Sequence, residues 1–226
     1  MLELVGVTGG YGRSMVLHDV SVEVPAAGAV AIMGHNGAGK TTLLRAAVGL
    51  LPIREGTILL DGEDVTRLRP SARVKRGLGY VPQGQLCFPQ MTTLENLQLV
   101  TTDKSAMDGV LDTFPALTGL LGRRAGLLSG GQRQQLSIAR TLLTKPRMLI
   151  LDEPTEGIQP NVVAEIESTI VALTNRGDLS VLLVEQHVGF ALRATGSYYV
   201  LESGRVTSHG EGGPGAVDAV RAAMAV

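Results

Sequence analysis

An α/β fold built on a parallel sheet is predicted from three observations. Short apolar runs at Ala29–Met33, 148–151 and 181–184 have strand length, and they alternate with segments whose apolar positions recur at helical spacing. A glycine-rich stretch from Gly34 to Thr42 joins the first run to a helical segment. The second run is closed by two acids, Asp152 and Glu153, as suits a strand buried on both faces that delivers polar groups at its carboxyl edge.

The totals bound the answer. With 226 residues the chain is one large domain or two small ones, and it can bury a substantial core. A single cysteine, Cys87, cannot form an internal disulfide, so a reducing compartment is expected and Cys87 reads as packing. A formal net charge of −1 leaves no basic footprint for nucleic acid, and 3 Phe, 4 Tyr and no Trp are too few for base-stacking platforms. No apolar run approaches the roughly 20 residues that span a bilayer, and Glu3, Gly9 and Gly10 interrupt any leader, so a cytosolic protein is expected. A mean hydropathy of +0.21 fits a chain that buries surface against partners.

Each element follows from its local pattern. Residues 2–7 alternate as an edge strand does, Tyr11 and Gly12 follow as a loop, and 20–24 form a second strand with Ser21 and Glu23 turned away from Val20, Val22 and Val24. Ala29–Met33 is the third strand, and 42–48 is a helix stopped by Gly49. Residues 57–60 with Asp61 and Gly62 read as strand and tight turn. Pro70 opens a short helix to about Arg76, and the strand 78–81 is broken by Pro82, Gln83 and Gly84. Thr92 and Glu95 have capping-box spacing before a helix to about Val100, and 105–114 is a second helix ahead of Pro115. No strand is expected between Phe88 and Leu127, so this region reads as an all-helical insertion. Residues 127–132 form a Ser/Gly-rich loop before a helix over 133–143, where Leu136, Ala139, Leu142 and Leu143 keep helical spacing. Pro160 starts a helix with Val162, Val163, Ile166, Ile170 and Leu173 on one face. The strand 181–184 ends in Glu185, Gln186 and His187, residues 198–201 and 205–208 make a hairpin around Ser203 and Gly204, and 216–225 is a small closing helix.

The glycine-rich stretch fits G-x-x-x-x-G-K-[ST] between a strand and a helix, the context this motif requires. Average residue usage makes the pattern arise by chance in roughly one chain in a hundred of this length, so a bland glycine turn is the weaker reading. Gly37 and Gly39 let backbone N–H groups and the helix N-terminus converge on phosphate oxygens. Lys40 would reach the β- and γ-phosphates and Thr41 would complete a Mg²⁺ shell. Paired acids alone mean little, but after a buried strand in such a chain Asp152 can hold the magnesium and Glu153 can activate water, which completes a P-loop NTPase site. Gln83 and His187 lie just past central strands, where a γ-phosphate would be; each reads either as a satisfied polar group or as a phosphate contact. Tyr11 is either a surface aromatic or a face for a purine, and the Ser129 loop is a second potential anion site. His18, His35 and His209 read as ordinary loop residues.

In these motifs the chain resembles an ATP-binding cassette (ABC) ATPase along nearly its whole length. Walker A is Gly34, His35, Asn36, Gly37, Ala38, Gly39, Lys40 and Thr41 with Thr42 after it; the Q-loop residue is Gln83; the signature is Leu128, Ser129, Gly130, Gly131 and Gln132. Walker B ends at Asp152 with Glu153 after it, the switch histidine is His187 and the A-loop aromatic is Tyr11. The resemblance implies a RecA-like core over 1–82 and 128–226, including an N-terminal antiparallel β subdomain, with a helical subdomain at 83–127. It implies ATP and Mg²⁺ as ligands, with Thr41, Gln83 and Asp152 at the metal and Lys40, Glu153 and His187 in catalysis. It also implies head-to-tail pairing with a second ABC ATPase subunit, in which Ser129, Gly131 and Gln132 bind the partner's γ-phosphate, and docking of the helical insertion on a permease.

One departure is Gln159 at the place of the D-loop aspartate. The run Glu153, Pro154, Thr155, Glu156, Gly157, Ile158, Gln159, Pro160 resembles the ATP-binding subunits of urea importers, a branch close to the branched-chain amino acid importers. The resemblance therefore implies the ATPase subunit of a prokaryotic importer, for urea or, as the alternative, for branched-chain or related amino acids. It would sit on the inner face of the membrane beside two transmembrane permease subunits, with a solute-binding protein outside and no nucleic acid. The rival of another class, a soluble ABC ATPase of DNA repair or translation, usually has coiled-coil arms or a second cassette, and this chain has neither.

Overall fold

A computed structural model describes residues 1–224, and its ten described strands form two sheets. β1 (Leu2–Tyr11) and β2 (Ser14–Val24) form an antiparallel hairpin in which Tyr11 pairs with Ser14, so Tyr11 closes a strand rather than sitting in a loop. β3 (Ala29–Met33) leads into α1 (Lys40–Val48), which starts two residues earlier than expected. β4 (Ile53–Leu60) and the short β5 (Glu63–Asp64) complete the first sheet in the order β2-β1-β4-β5. β1 is therefore interior, not the edge strand expected. The period-two alternation reports that one face is buried, and that is the same for edge and interior strands of a one-sided antiparallel sheet.

After α2 (Pro70–Val74) and β6 (Leu78–Val81) come α3 (Thr93–Gln98), α4 (Lys104–Thr113) and two 3₁₀ turns, then α5 (Gly130–Leu142). Between β6 and the next strand the described residues show only an isolated bridge, Thr92 to Arg124. The capping box at Thr92 forms as expected: its hydroxyl accepts from the Glu95 N–H at 3.1 Å and Glu95 accepts from the Thr92 N–H at 2.7 Å. α5 takes in Gly130, Gly131 and Gln132, so half of the expected loop is the first turn of a helix.

β7 (Met148–Asp152), α6 (Pro160–Asn175), β8 (Ser180–Val184), α7 (Val188–Ala194), β9 (Ser197–Glu202), β10 (Arg205–Glu211) and α8 (Val217–Met224) complete the chain. α7 was not legible in the sequence. Its burial of Phe190, Ala191 and Leu192 against the sheet, rather than a capping signal, holds it. Ala225, expected to belong to the closing helix, lies outside the described residues. His18 and His209 lie in β2 and β10, not in loops.

The second sheet runs β10-β9-β3-β8-β7-β6, parallel throughout except the β9-β10 hairpin. β3, β7 and β8 are almost fully apolar and buried, as strands covered on both faces must be. β8 separates β3 from β7, so the chain leaving β8 emerges between the glycine-rich loop and the paired acids. No helix is long and apolar enough to cross a membrane among the described residues.

Candidate functional site

The cradle is built from the turn between β3 and α1. Gly39 caps α1 in a left-handed conformation at φ 106°, and the Ala38 N–H closes on the His35 carbonyl at 3.1 Å. The Lys40 ammonium is buried and folded over the loop: it donates to the Gly34 carbonyl at 2.8 Å and the His35 carbonyl at 3.0 Å, and pairs with Glu153 at 3.2 Å. The His35 ring turns to the Met224 carbonyl at the end of α8, leaving only its backbone in the cradle. Asn36 is exposed and offers its side-chain oxygen, Thr41 is half-buried and Thr42 is buried. Tyr11 is 44% exposed and its hydroxyl accepts from Arg45 on α1 at 3.1 Å.

Glu153 is the hub. It has φ 45°, a left-handed conformation uncommon for a residue with a Cβ, and its N–H donates to the Val184 carbonyl at 2.9 Å. Beyond Lys40, its carboxylate takes the Gln186 amide at 2.9 and 3.0 Å and the Gln83 amide at 3.4 Å, while Gln83 also donates to Glu156. The Gln186 nitrogen reaches the Asn36 side-chain oxygen at 2.9 Å as well.

His187 does not join this cluster in the isolated chain. Its side chain is 66% exposed and its Nδ1 lies 3.1 Å from Glu167 on α6, whose other oxygen pairs with Arg193 at 2.7 Å. The residue beside the glutamate is Gln186, which sequence reasoning passed over. Glu185, buried and held up in pKa chiefly by desolvation, accepts from the Thr155 hydroxyl and from the N–H groups of Gln186 and His187. Those bonds fix the direction in which the chain leaves β8.

Asp152 ends β7 with its Oδ2 accepting from the Tyr80 hydroxyl at 3.2 Å. Burial raises its pKa to about 6, further helped by the neighbouring Glu153 and opposed by the Tyr80 hydrogen bond and Lys40. Its Oδ1 is buried without a hydrogen-bond partner, an acceptor facing nothing in the protein. At Gly37, φ 85°, an added Cβ would meet no atom within 4 Å, so the cradle is open on that side. A hard, oxygen-seeking cation carried by a polyphosphate fits both features: the orphan carboxylate oxygen and Thr41 supply oxygen donors, and Mg²⁺ takes few ligands from protein and the rest from phosphate and water.

Ser129, Gly130, Gly131 and Gln132 stand apart. Ser129 caps α5, accepting from the Gln132 N–H at 3.2 Å while Gln132 accepts from the Ser129 N–H at 3.0 Å. A Cβ on Gly131 would lie 2.3 Å from Val162 Cγ1, so α5 approaches α6 only because that residue has no side chain. Among the described residues no hydrogen bond or ion pair joins 129–132 to the cradle.

Comparison with known proteins places this geometry. A family model described as ABC transporter matches residues 17–156. The chain is similar to the probable branched-chain amino acid transport ATP-binding protein LivF of Archaeoglobus fulgidus, at 39% identity over 93% of the chain and 92% of the relative. It is also similar to the high-affinity branched-chain amino acid transport ATP-binding protein BraG of Pseudomonas aeruginosa, at 40% over 94% and 93%. The lipopolysaccharide export system ATP-binding protein LptB of Haemophilus influenzae is 34% identical over 88% and 86%. A solved nucleotide-free ATP-binding cassette from an ABC transporter superposes with a TM-score of 0.87 at 25% identity, over 98% of this chain and 95% of that one.

Proposed function

The chain belongs to the ABC transporter family, and from that premise we propose that this ATPase is the motor subunit of an importer for branched-chain or related amino acids. The two branched-chain relatives align over 93–94% of the chain, whereas the urea reading rests on residues 153–160 alone, so the solute moves to the alternative. The exporter relative is less similar, at 34%. The expected partners are two permease subunits at the inner face of the membrane, a second ATPase subunit and, indirectly, a solute-binding protein. Nucleic acid has no part in this reading. Residues 83–127 are assigned as the unit that docks on the permease, with 1–82 and 128–226 as the nucleotide-binding core.

The observation that carries the mechanism is the contact of Lys40 with Glu153. An ammonium has three protons, and here they go to two loop carbonyls and one carboxylate. Phosphate oxygens in the cradle would compete for those protons, and taking the one now directed at Glu153 would free that carboxylate to accept a proton from an attacking water. Thr41, Asp152 and Gln83 would hold magnesium, which when bound would neutralise charge developing on the phosphate oxygens. Backbone N–H groups of Gly37 and Gly39 orient the phosphates, and Tyr11 stacks on the base. Ser129, Gly131 and Gln132, remote from their own cradle, serve the nucleotide of the second subunit.

Glu153→Gln tests the site. The variant is expected to bind ATP as the parent does, to lose turnover by at least about a hundredfold and to elute as an ATP-dependent dimer. Turnover at the parental rate would show that Glu153 is not the base. For the solute, ATP turnover of the reconstituted complex should rise with leucine, isoleucine or valine and not with urea.

A further inference from the structure

We propose that Gln85 is a positioning residue for hydrolysis in the second subunit's site: it clasps the segment that follows Gln83 to the first turn of α5, so that the state of this chain's own cradle reaches the signature loop. The inference rests on the reading of that loop, Ser129 to Gln132, as the one that serves the second subunit's nucleotide. It is argued from one guanidinium. Arg133 donates through Nη2 to the Gln85 side-chain oxygen at 3.3 Å and through Nη1 to the carbonyl of Leu128, the residue that opens the signature, at 2.5 Å. Arginine only donates, so the oxygen of the Gln85 amide and not its nitrogen must face it. The amide also lies against the signature itself: a Cβ on Gly130 would stand 3.1 Å from the Gln85 oxygen and 3.4 Å from its nitrogen. Gly130 therefore leaves room for Gln85 as Gly131 does for Val162.

The chain between Gln83 and Gln85 turns sharply enough to send the two amides to different segments. Gly84 has φ 97° and Gln85 φ 55°, and a left-handed residue with a Cβ persists only where its surroundings hold it. Gln83 donates to Glu153 at 3.4 Å and to Glu156, whereas Gln85 goes to α5. The residues that follow are fastened to the same face of that helix two turns along: Arg140 donates to the Leu86 carbonyl at 3.3 Å and lies 5.2 Å from the centre of the Phe88 ring. Residues 85–88 and α5 thus form one body, and Gln83 is the end of it that meets the carboxylates. Among the described residues no other hydrogen bond joins 82–85 to 128–133. A phosphate group that draws Gln83 toward it shifts the first turn of α5 through this clasp, and Ser129 and Gln132 with it.

ATP turnover of the reconstituted complex and ATP binding by the isolated full chain test this together. Gln85→Met keeps the length of the side chain and removes its acceptor; kcat should fall at least about fivefold while the ATP Kd of the isolated chain stays within about twofold. Gln85→Glu returns an acceptor to the guanidinium and should recover most of the lost rate. Arg133→Met should also lose rate, and adding Gln85→Met to it should cost no more than about a further twofold, because the two side chains act as a unit. Parental kcat in Gln85→Met, no recovery in Gln85→Glu, or the same fold loss from Gln85→Met with and without Arg133 overturns the inference. If instead Ser129→Ala leaves turnover of the complex at the parental rate, the reading of the signature loop has failed and the inference falls with it, so the two failures are told apart.

Discussion

Asp152 shows how one residue can be costly to the fold and useful to the site. Burial raises its pKa to about 6, above the ordinary 3.8, so between those values the folded chain binds a proton that the unfolded chain has lost. Its neutral form favours folding at low pH, and that contribution is lost as pH rises through about 6. Asp152→Asn is neutral at every pH and nearly isosteric. It should therefore unfold at higher urea than the parent, by a margin that grows from about pH 4 to about pH 7 and then levels off. If Asp152 holds magnesium as proposed, Mg-ATP should raise the stability of the parent and not of this variant, because the orphan Oδ1 is the atom it replaces or neutralises. Urea midpoints with and without Mg-ATP across that range check both statements. Cys87 is the opposite case: half-buried, with its thiol pKa pushed up by desolvation, it is packing rather than chemistry.

At the scale of elements, short polar signals decide where helices begin and which way chains leave strands. α5 starts at Gly130 because Ser129 and Gln132 satisfy each other's N–H groups, a capping box written in residues first read as an anion loop. Ser129→Ala should cost about 1 kcal/mol of unfolding free energy through the lost cap. Its effect on turnover in the assembled transporter should exceed what that loss explains if the loop also serves a second nucleotide; denaturant melts and ATP turnover measured side by side separate the two. The order β3-β8-β7 works at the same scale: it sets the cradle and the acids one strand apart and threads Gln186 between them.

Across the whole molecule, the β9-β10 turn fastens the two sheets to the cradle. The Gly204 N–H donates to the Ala38 carbonyl at 2.9 Å, and the Gly204 carbonyl accepts from the His18 N–H of β2 at 2.8 Å. Gly204 has φ 74°, and an added Cβ would lie 1.7 Å from the Val16 carbonyl oxygen. Gly204→Ala should therefore lower stability by about 2 kcal/mol or more and weaken ATP binding together with it, since the seam and the cradle share this residue. Thermal melts and nucleotide titration of the same preparation read both effects. A core that runs from the helical region through Leu97 and Phe114 to Leu149, Leu151 and Ile166 makes the helices after β6 continuous with the sheet, with α5 packed against both.

The sequence by itself determined the local features: the glycine cradle before a helix, the apolar strand that delivers Asp152 and Glu153, the capping box at Thr92 and the helix opened by Pro160. Each is encoded within a few consecutive residues, because backbone conformation and burial on one or two faces leave a short-range pattern. Tertiary structure alone decided that β1 lies inside its sheet, that α7 exists, and that Gln186 rather than His187 meets Glu153. Strand neighbours are chosen by contacts far apart in sequence. The direction of a chain past a strand end is chosen by distant hydrogen bonds, here those of Glu185 and Thr155, and no local pattern in residues 185–187 carries that information.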